Sequence, residues 1–361
     1  MTFRLSPARS LALAALLSAA PASAQTPTYR VTEIAGAAGT VCTATALNDS
    51  GMTAGGCVAT SSGTLTAASG KKARLNNLGV LPFGHYAVAT AINALGVTIG
   101  DGDAGDWQPR PFVTYDGQLL NIDPQGGANM RAIGIMDNGI IFGNYARGLS
   151  GSTSAWSPVY YVQEPGKPRY RRYDLPRVPG GDSKTNGAFL SASNRAGQLA
   201  GWVQNSLLGQ RGAFWNNDAA HSVVVLQPLD GASQSAAWGI NDLGQAVGGS
   251  WIPFVGDRAV MWDSDAAHTP IDLGVLPGDV SSTAIAANAA GQVVGISVSP
   301  TKERRAFLSQ QGTMLDLASL VAAEDGVWTI QAVFAINNSG QIVAVGVNNG
   351  RAASILLTPV L

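Results

Sequence analysis

The chain has 361 residues, of which 46% are hydrophobic and 12% are charged. This apolar content supports a large packed core and excludes an intrinsically disordered protein, which has few apolar residues and a high net charge. Lys and Arg number 22 against 23 Asp and Glu. We therefore expect no nucleic-acid partner, because no overall charge attracts the protein to a polyanion.

The N-terminal residues have the pattern of a secretory signal peptide. Arg4 and Arg9 form a positively charged region before a short apolar stretch over 11–19. The small residues 22 and 24 give 22–24 the pattern of a cleavage site. We predict a signal peptide over 1–24, a single mature domain over 25–361, and a secreted or periplasmic location. No stretch reaches the roughly 20 apolar residues of a membrane helix, so we predict no membrane span.

Seven copies of one hairpin pattern follow along the chain. The shared frame is a short apolar strand, Asn, two variable residues, Gly and a second apolar strand. The anchor glycines are Gly51, Gly96, Gly139, Gly197, Gly244, Gly291 and Gly340. Such a period is typical of propellers and solenoids. The alternation of β-branched and small apolar residues, together with the Asn-x-x-Gly turn, predicts hairpins.

The chain ends favour a closed ring over a solenoid. A second strand pair lies between successive hairpins, for example over 110–123, so each unit has four strands. The last unit lacks its fourth strand, whereas an unmatched strand over 29–36 precedes the first hairpin. Pairing 29–36 with 351–359 would complete the last unit and remove exposed edges. We predict an all-β, seven-bladed β-propeller closed by its N-terminal strand, and we expect a monomer.

Several of these segments resemble a known repeat. The A-x-x-I-N-x-x-G-x-x-V-G hairpin, RAF at 305–307, GAF at 212–214 and DLGVLPGD at 272–279 resemble the HAF repeat of bacterial extracellular proteins. The resemblance covers nearly all of the mature chain, although Arg or Gly stands where the repeat has His. The third unit also has Met136 in place of the turn Asn. The resemblance implies export and a repeated β architecture, and it supplies no catalytic residues.

The two cysteines lie symmetrically about the first hairpin turn. Cys42 and Cys57 are equally far from the midpoint of Asn48 and Gly51. They should face each other on adjacent strands, within the roughly 4.4 to 6.8 Å Cα separation of a disulfide. A redox or metal pair is the alternative, but no His or third Cys is near in sequence. We predict a structural disulfide, consistent with an oxidising compartment.

The repeated polar and aromatic residues have structural interpretations. The turn Asn residues are predicted to cap the hairpins, and Trp215 and Trp262 to pack between blades. His221 and His268 occupy matching turns of neighbouring blades, too far apart to bind one metal. The stretch 167–173 interleaves cations and aromatics. It is predicted to be an ordinary outer strand, with a grip for an anionic polymer as the alternative.

Three carboxylates in six residues form the one candidate cation site. Asp101, Asp103 and Asp106 could hold calcium, but their spacing departs from that of a calcium-binding loop and no bidentate Glu follows. We favour a solvated loop and predict no cofactor, with calcium as the alternative.

Aromatic residues concentrate on one predicted face of the ring. Loops between blades emerge there, with loops between second and third strands, whereas the Asn-x-x-Gly turns lie opposite. The residues predicted on this face are Phe83, His85, Tyr86, Trp107, Trp156, Trp251, Phe254 and Trp328, with Trp202 and Trp238 nearby. Exposed rings bind sugars or anchor protein partners. The alternative is that they pack the loops together and plug the channel.

Two functions remain open from the sequence. The first is a non-catalytic module that binds a glycan, a peptide or a partner protein through the aromatic face. The second is an enzyme on extracellular polysaccharide, with acid or base groups such as Asp103, His85 or Asp279 at the channel mouth. Convergence of two titratable side chains from different blades within about 10 Å around the channel mouth would favour the enzyme. No nucleophile motif is present, so no catalytic residue is assigned.

Overall fold

The predicted seven-bladed propeller is confirmed by the computed structural model, which describes residues 27–124, 130–146, 156–178, 187–205 and 209–360. Within these ranges, strands β1 to β28 form seven four-stranded antiparallel sheets. The predicted signal peptide, 1–24, lies outside the described residues. Among the helices that the structure describes, none is both long and apolar enough to cross a membrane.

Each blade consists of four strands that are consecutive in sequence, except for the last blade. Blade 1 contains β2 (Thr40–Leu47), β3 (Thr53–Ala59), β4 (Leu65–Gly70) and β5 (Asn76–Gly79). Blade 2 contains β6 (Ala87–Ile92), β7 (Thr98–Gly102), β8 (Arg110–Tyr115) and β9 (Gln118–Asn121). Blade 3 contains β10 (Met130–Ile135), β11 (Ile141–Ala146), β12 (Trp156–Gln163) and β13 (Tyr170–Asp174). Blade 4 contains β14 (Gly187–Ser193), β15 (Leu199–Asn205), β16 (Gly209–Trp215) and β17 (Val223–Val225).

The remaining three blades complete the circle. Blade 5 contains β18 (Gln234–Ile240), β19 (Ala246–Ile252), β20 (Gly256–Trp262) and β21 (Pro270–Gly274). Blade 6 contains β22 (Ser281–Ala287), β23 (Val293–Val298), β24 (Arg304–Gln310) and β25 (Thr313–Asp316). Blade 7 contains β26 (Thr329–Ile336), β27 (Ile342–Asn348), β28 (Arg351–Val360) and the N-terminal strand β1 (Thr28–Glu33). Two short 3-10 helices, Leu317–Leu320 and Ala323–Asp325, connect blades 6 and 7.

The first strand of each blade surrounds the axis, since it contacts the first strand of both neighbouring blades. Antiparallel pairing then separates the loops into two sets. We call one face the connector face: it carries the links between blades, such as 80–86, and the loops between second and third strands, such as 253–255. We call the other the turn face, because it carries the seven Asn-x-x-Gly or Met-x-x-Gly turns. This sorting agrees with the sequence-based prediction.

The N-terminal strand closes the ring as predicted. Strand β1 pairs antiparallel with β28, from Thr28 opposite Val360 to Glu33 opposite Ile355. The Tyr29 side chain is fully buried, packed with residues of blades 6 and 7. Its carbonyl accepts a hydrogen bond from the Ala322 amide. Closure therefore buries an aromatic side chain as well as pairing an otherwise exposed sheet edge.

The predicted disulfide is confirmed and lies beside this closure. Cys42 and Cys57 are directly opposite in the β2–β3 register, with their Cα atoms 4.1 Å apart. Gly36, in the link from β1 to blade 1, passes so close that a Cβ there would lie 2.2 Å from the Cys42 sulfur. The disulfide thus covalently fixes the hairpin against which the closing segment packs.

The turn asparagines cap their hairpins, as predicted, and also connect the blades. In blade 1 the Asn48 side-chain oxygen accepts hydrogen bonds from the Ser50 and Met52 amides. Its Nδ2 donates to the carbonyl of Asn93, the corresponding residue of blade 2. Six such donations, at 2.8 to 3.2 Å, link consecutive blades. Met136 of blade 3 has no amide to donate, so the series is interrupted between blades 3 and 4.

Trp215 and Trp262 pack between blades, which confirms their predicted role. Both side chains are fully buried. Trp215 donates its Nε1 hydrogen to the Pro176 carbonyl, and Trp262 donates its own to that of Gln227. Each acceptor belongs to the segment that leaves the outer strand of the preceding blade. The two indoles therefore join neighbouring blades through burial and a directed hydrogen bond.

Candidate functional site

A groove between blades 5 and 6 on the connector face combines aromatic and polar side chains. Its volume is about 590 Å³, within the usual range for a small-molecule site. Trp238 and Trp251 line it, and these rings are 39% and 42% exposed. The other lining residues are Gln210, Gln234, Ser235, Ala236, Gly249, Asp257, Ser281, Ser282, Thr283, Ile285, Ile296, Val298, Lys302 and Arg304.

A glycine at an inter-blade position leaves space for the groove. Gly249 stands eight residues after the turn Asn241. A Cβ at Gly249 would contact only the Thr283 side chain of blade 6, at 3.6 Å. The corresponding residues of the other blades are Gly56, Asp101, Asn144, Trp202, Ile296 and Val345. Five of these six carry a side chain. At the junction of blades 7 and 1 a second groove of about 590 Å³ is open despite Val345, but no aromatic residue lines it.

Blade 1 shows how a glycine at this position can be covered. A Cβ at Gly56 would lie 2.7 Å from Leu65 of β4 and 3.3 Å from Val88 of blade 2. By the strand registers, Asp257 and Thr283 are the counterparts of Leu65 and Val88. Replacing two aliphatic side chains by a carboxyl and a hydroxyl leaves the space open and makes its wall polar.

A local distortion of the inner strand presents the Trp238 ring. The β18–β19 register shifts between Ala237 and Gly239, which leaves Trp238 as an unpaired bulge residue. The same shift recurs three residues before the turn in every blade. Bulges re-aim side chains. Here the bulge residue is Trp238, and its ring lines the groove.

Most polar side chains of the groove are available to a ligand. Within the described part of the chain, the side chains of Gln210, Gln234, Ser281 and Thr283 make no hydrogen bond, and those of Asp257, Lys302 and Arg304 make no ion pair. The hydroxyls of Ser235 and Ser282 instead accept backbone hydrogen bonds from Gly212 and Ala259. Partial burial raises the pKa of Asp257 above its ordinary value. The wall therefore offers both donors and acceptors around two indole faces.

The predicted aromatic residues do lie on the connector face, but they differ in exposure. Phe83, Trp107 and Phe254 are strongly exposed, at 91%, 63% and 108% of their reference areas. Tyr86 is half-buried. Trp328 is only 6% exposed and donates its Nε1 hydrogen to the Asp325 carbonyl. Trp328 therefore packs between blades 6 and 7 and offers no ring face to a ligand. The prediction that Trp328 is a binding residue is wrong.

Trp156 belongs to an aromatic cluster at the junction of blades 3 and 4. Its half-buried ring meets that of Phe189 edge-on, with centroids 5.5 Å apart. Phe189 in turn stacks on the buried Trp202 at 5.6 Å. Between blades 3 and 4, this cluster occupies the space that corresponds to the open groove between blades 5 and 6. Packing, the alternative interpretation of the aromatic residues, thus describes Trp156 and Trp202.

The three carboxylates considered for calcium have separate partners. Asp101 is buried and accepts a hydrogen bond from the Ala132 amide of blade 3. Asp103 accepts from His85 and several backbone amides. Asp106 pairs with Arg110, which lowers the pKa of its carboxyl. No group of three His, Cys, Asp or Glu side chains suited to a metal ion occurs among the described residues.

Titratable groups from different blades do converge, but on the turn face. Asn338 Nδ2 donates to Asp49 at 2.9 Å and to Asp242 at 3.0 Å, so these carboxylate oxygens lie no more than about 6 Å apart. Arg195 forms ion pairs with the same two carboxylates. On the connector face, Asp279, in the link that enters blade 6, pairs with Arg305 of that blade. The converging carboxylates therefore lie away from the aromatic face and are engaged by Arg195 and Asn338.

The basic stretch 167–173 is an outer strand and its flanking turn, as we favoured. Lys167 and Arg169 pair with Glu164, and Arg172 pairs with Asp123. Arg172 also lies over the Tyr145 ring, 4.5 Å from its centroid. These cations are therefore engaged by residues of blade 3 and by Asp123, which follows the outer strand of blade 2.

The chain resembles solved structures only at the level of the fold. No family model and no curated protein matches it. A prolyl endopeptidase aligns with 10% identity and a TM-score of 0.53 over 92% of this chain and 50% of that one. A sialidase of Trypanosoma rangeli aligns with 13% identity and a TM-score of 0.40, over 79% and 56%. A lectin of Aleuria aurantia aligns with 14% identity and a TM-score of 0.40, over 77% and 94%.

The chain thus spans about half the length of the prolyl endopeptidase and of the sialidase. Fold likeness at such identity carries no information about the site, because unrelated functions share propellers.

Proposed function

We propose that this protein is a non-catalytic, exported saccharide-binding module whose binding site is the groove between blades 5 and 6. The observation that carries the proposal is the pair of exposed indoles, Trp238 and Trp251, in a groove whose wall has unpaired hydrogen-bonding side chains. Indole faces pack against the C–H faces of sugar rings, and amide and hydroxyl groups pair with sugar hydroxyls. A peptide or a partner protein fits less well, because a volume of about 590 Å³ is that of a small-molecule site.

The small number of carboxylates in the groove favours binding over catalysis. Asp257 is the single carboxylate among its lining residues. Glycoside hydrolysis ordinarily needs two carboxyl groups across the scissile bond. An enzymatic site would have to recruit its second acid from elsewhere, and we assign no catalytic residue.

Export is supported by three features. The N-terminal pattern over 1–24 is typical of a signal peptide, the disulfide is typical of an oxidising compartment, and the hairpins resemble the HAF repeat. We propose on these grounds that the protein acts in the periplasm or outside the cell, where polysaccharides are available as ligands.

The proposal predicts that Trp251→Ala weakens saccharide binding at least about 10-fold, because it removes one ring platform. The measurement is affinity electrophoresis of secreted protein in gels containing cellulose derivatives, glycol chitin, xylan, pectin or starch. Hexasaccharides of any polymer that retards the protein would then be titrated by calorimetry.

The matched control is Tyr115→Ala, which should bind like wild type. It removes an exposed ring (44%) at the turn-face end of blade 2, far from the groove on the connector face. Equal binding by wild type and folded Trp251→Ala would contradict the assignment of the groove. Failure of every polymer to retard the wild-type protein would contradict saccharide binding itself.

A further inference from the structure

One buried carboxylate on the connector face fastens two loops of blade 2 together. The Asp103 side chain is 0% exposed. Its oxygens accept hydrogen bonds from the amides of His85 and Tyr86 in the link from blade 1, and from those of Gly105 and Trp107 in the β7–β8 loop. The His85 ring adds a fifth bond through Nδ1, at 2.6 Å. Five contacts to one carboxylate fix the geometry of both loops.

These bonds keep Asp103 ionised. Burial alone would raise the pKa of the carboxyl, but the hydrogen bonds from the His85 ring and the backbone amides lower it below its ordinary value. An ionised carboxylate only accepts hydrogen bonds, so Nδ1 of His85 carries the hydrogen. The remaining ring nitrogen, Nε2, belongs to a side chain that is 40% exposed.

The fastened loops present a rigid aromatic surface. The His85 and Trp107 rings are stacked, with centroids 4.1 Å apart and planes 8° from parallel. The Tyr86 ring lies 6.4 Å from Trp107. Trp107 remains 63% exposed and Phe83, in the same link as His85, is 91% exposed. Such pre-organisation reduces the entropy lost when a ligand binds.

Phe83 and Trp107 also adopt a backbone conformation that bulky residues avoid. Their φ angles are +65° and +59°. The corresponding turns that lead into blades 5 and 6 have Gly231 and Gly278 at the position of Phe83, with φ of +78° and +86°. Glycine would relieve the strain, and Phe83 buries almost no surface in return. Strained exposed residues of this kind occur at functional sites.

We propose that Trp107, His85 and Phe83 form a second saccharide-binding site on blade 2. A sugar ring would pack on the exposed part of the Trp107 indole, with Phe83 beside it and His85 Nε2 hydrogen-bonded to a hydroxyl. This inference rests on the proposed function, and it extends that function from one site to two. Blades 3 and 4 separate the two sites on one side of the ring, so one polysaccharide chain or two neighbouring chains would be engaged at distinct points.

Two sites on one rigid ring make the binding of a polymer stronger than that of a short oligosaccharide, because the second contact is intramolecular. The test uses affinity electrophoresis with the polymer that retards wild type most, and compares Trp107→Ala, Trp251→Ala and the double variant. We expect each single variant to lose at least about 10-fold in avidity and the double variant to lose retardation. Phe83→Gly is expected to raise the Tm by about 1 to 3 °C through strain relief while lowering avidity.

Each outcome supports or overturns one of the two proposals. Unchanged avidity of folded Trp107→Ala and Phe83→Gly, with loss in Trp251→Ala, would overturn the blade 2 site and leave the groove intact. Loss in Trp107→Ala with none in Trp251→Ala would overturn the groove and support blade 2. Wild-type avidity in the double variant would overturn both sites. A purely structural role for Phe83 predicts instead that Phe83→Gly lowers the Tm without changing avidity.

Discussion

Removal of residues 356–361 is expected to lower the free energy of unfolding by at least about 5 kcal/mol, because it removes the pairing partner of β1. In the intact ring, Leu356 and Leu357 are buried and pair with Thr32 and Val31. Without residues 356–361, five of the six residue pairs between β1 and β28 are lost and Tyr29 is uncovered. Chemical denaturation followed by Trp fluorescence measures the change.

A milder variant keeps this prediction testable if the truncated chain does not fold. Tyr29→Ala preserves the strand but removes the buried ring, which should cost about 3 to 5 kcal/mol. Leu243→Ala, at an exposed turn position (57%) away from the closure, serves as the control and should unfold like wild type. Normal stability of both closure variants would show that the ring does not depend on β1.

Asp101→Asn is expected to stabilise the protein by about 2 to 4 kcal/mol at pH 8 and to have little effect near pH 4. Burial raises the pKa of Asp101 from 3.8 to about 7, although the Ala132 amide and Arg131 partly offset it. Between pH 3.8 and about pH 7 the folded protein holds a proton that the unfolded chain releases. The free energy of unfolding therefore falls as the pH rises through this range. Above about pH 7 both states are ionised and the fall ends.

The amide has a natural counterpart in blade 3. Asn144 occupies the position equivalent to Asp101 and pairs through both side-chain atoms with the Leu190 backbone of blade 4. Urea unfolding of wild type and variant from pH 4 to 8 measures the difference. The control is Asp116→Asn in the exposed β8–β9 turn. A constant difference across this range would contradict the assignment of the pH dependence to Asp101.

Much of the fold could be predicted because it depends on local patterns that recur. The Asn-x-x-Gly turns indicated seven hairpins, the missing strand after 351–359 indicated closure by the N-terminus, and the position of Cys42 and Cys57 about the first turn indicated their pairing. The hairpins and the disulfide depend on the register between adjacent strands, for which short-range pairing rules are sufficient. The closure joins the two ends of the chain and follows instead from the number of strands in each unit.

The groove could not be predicted in the same way, because it depends on three positions in two blades. Gly249 and Asp257 lie on neighbouring strands of blade 5, but Thr283 belongs to blade 6 and faces Gly249 only in the folded ring. A comparison of the residues eight places after each turn Asn or Met would have identified both Gly56 and Gly249, but not the side chains opposite them that differ between the two. Trp328 was misassigned for a related reason. Its loop lies on the connector face, but the loop assignment does not specify whether a side chain points outward.

The proposed saccharide binding depends most on the groove between blades 5 and 6, and Gly249→Ile tests this dependence most directly. Isoleucine occupies the same position in blade 6 as Ile296, and a Cβ at Gly249 meets no atom closer than 3.6 Å. The variant should fold normally and fill the groove while leaving both indoles in the chain. Calorimetric titration with the hexasaccharide that binds wild type should show affinity reduced at least about 10-fold. Undiminished affinity in a folded Gly249→Ile protein would contradict the account.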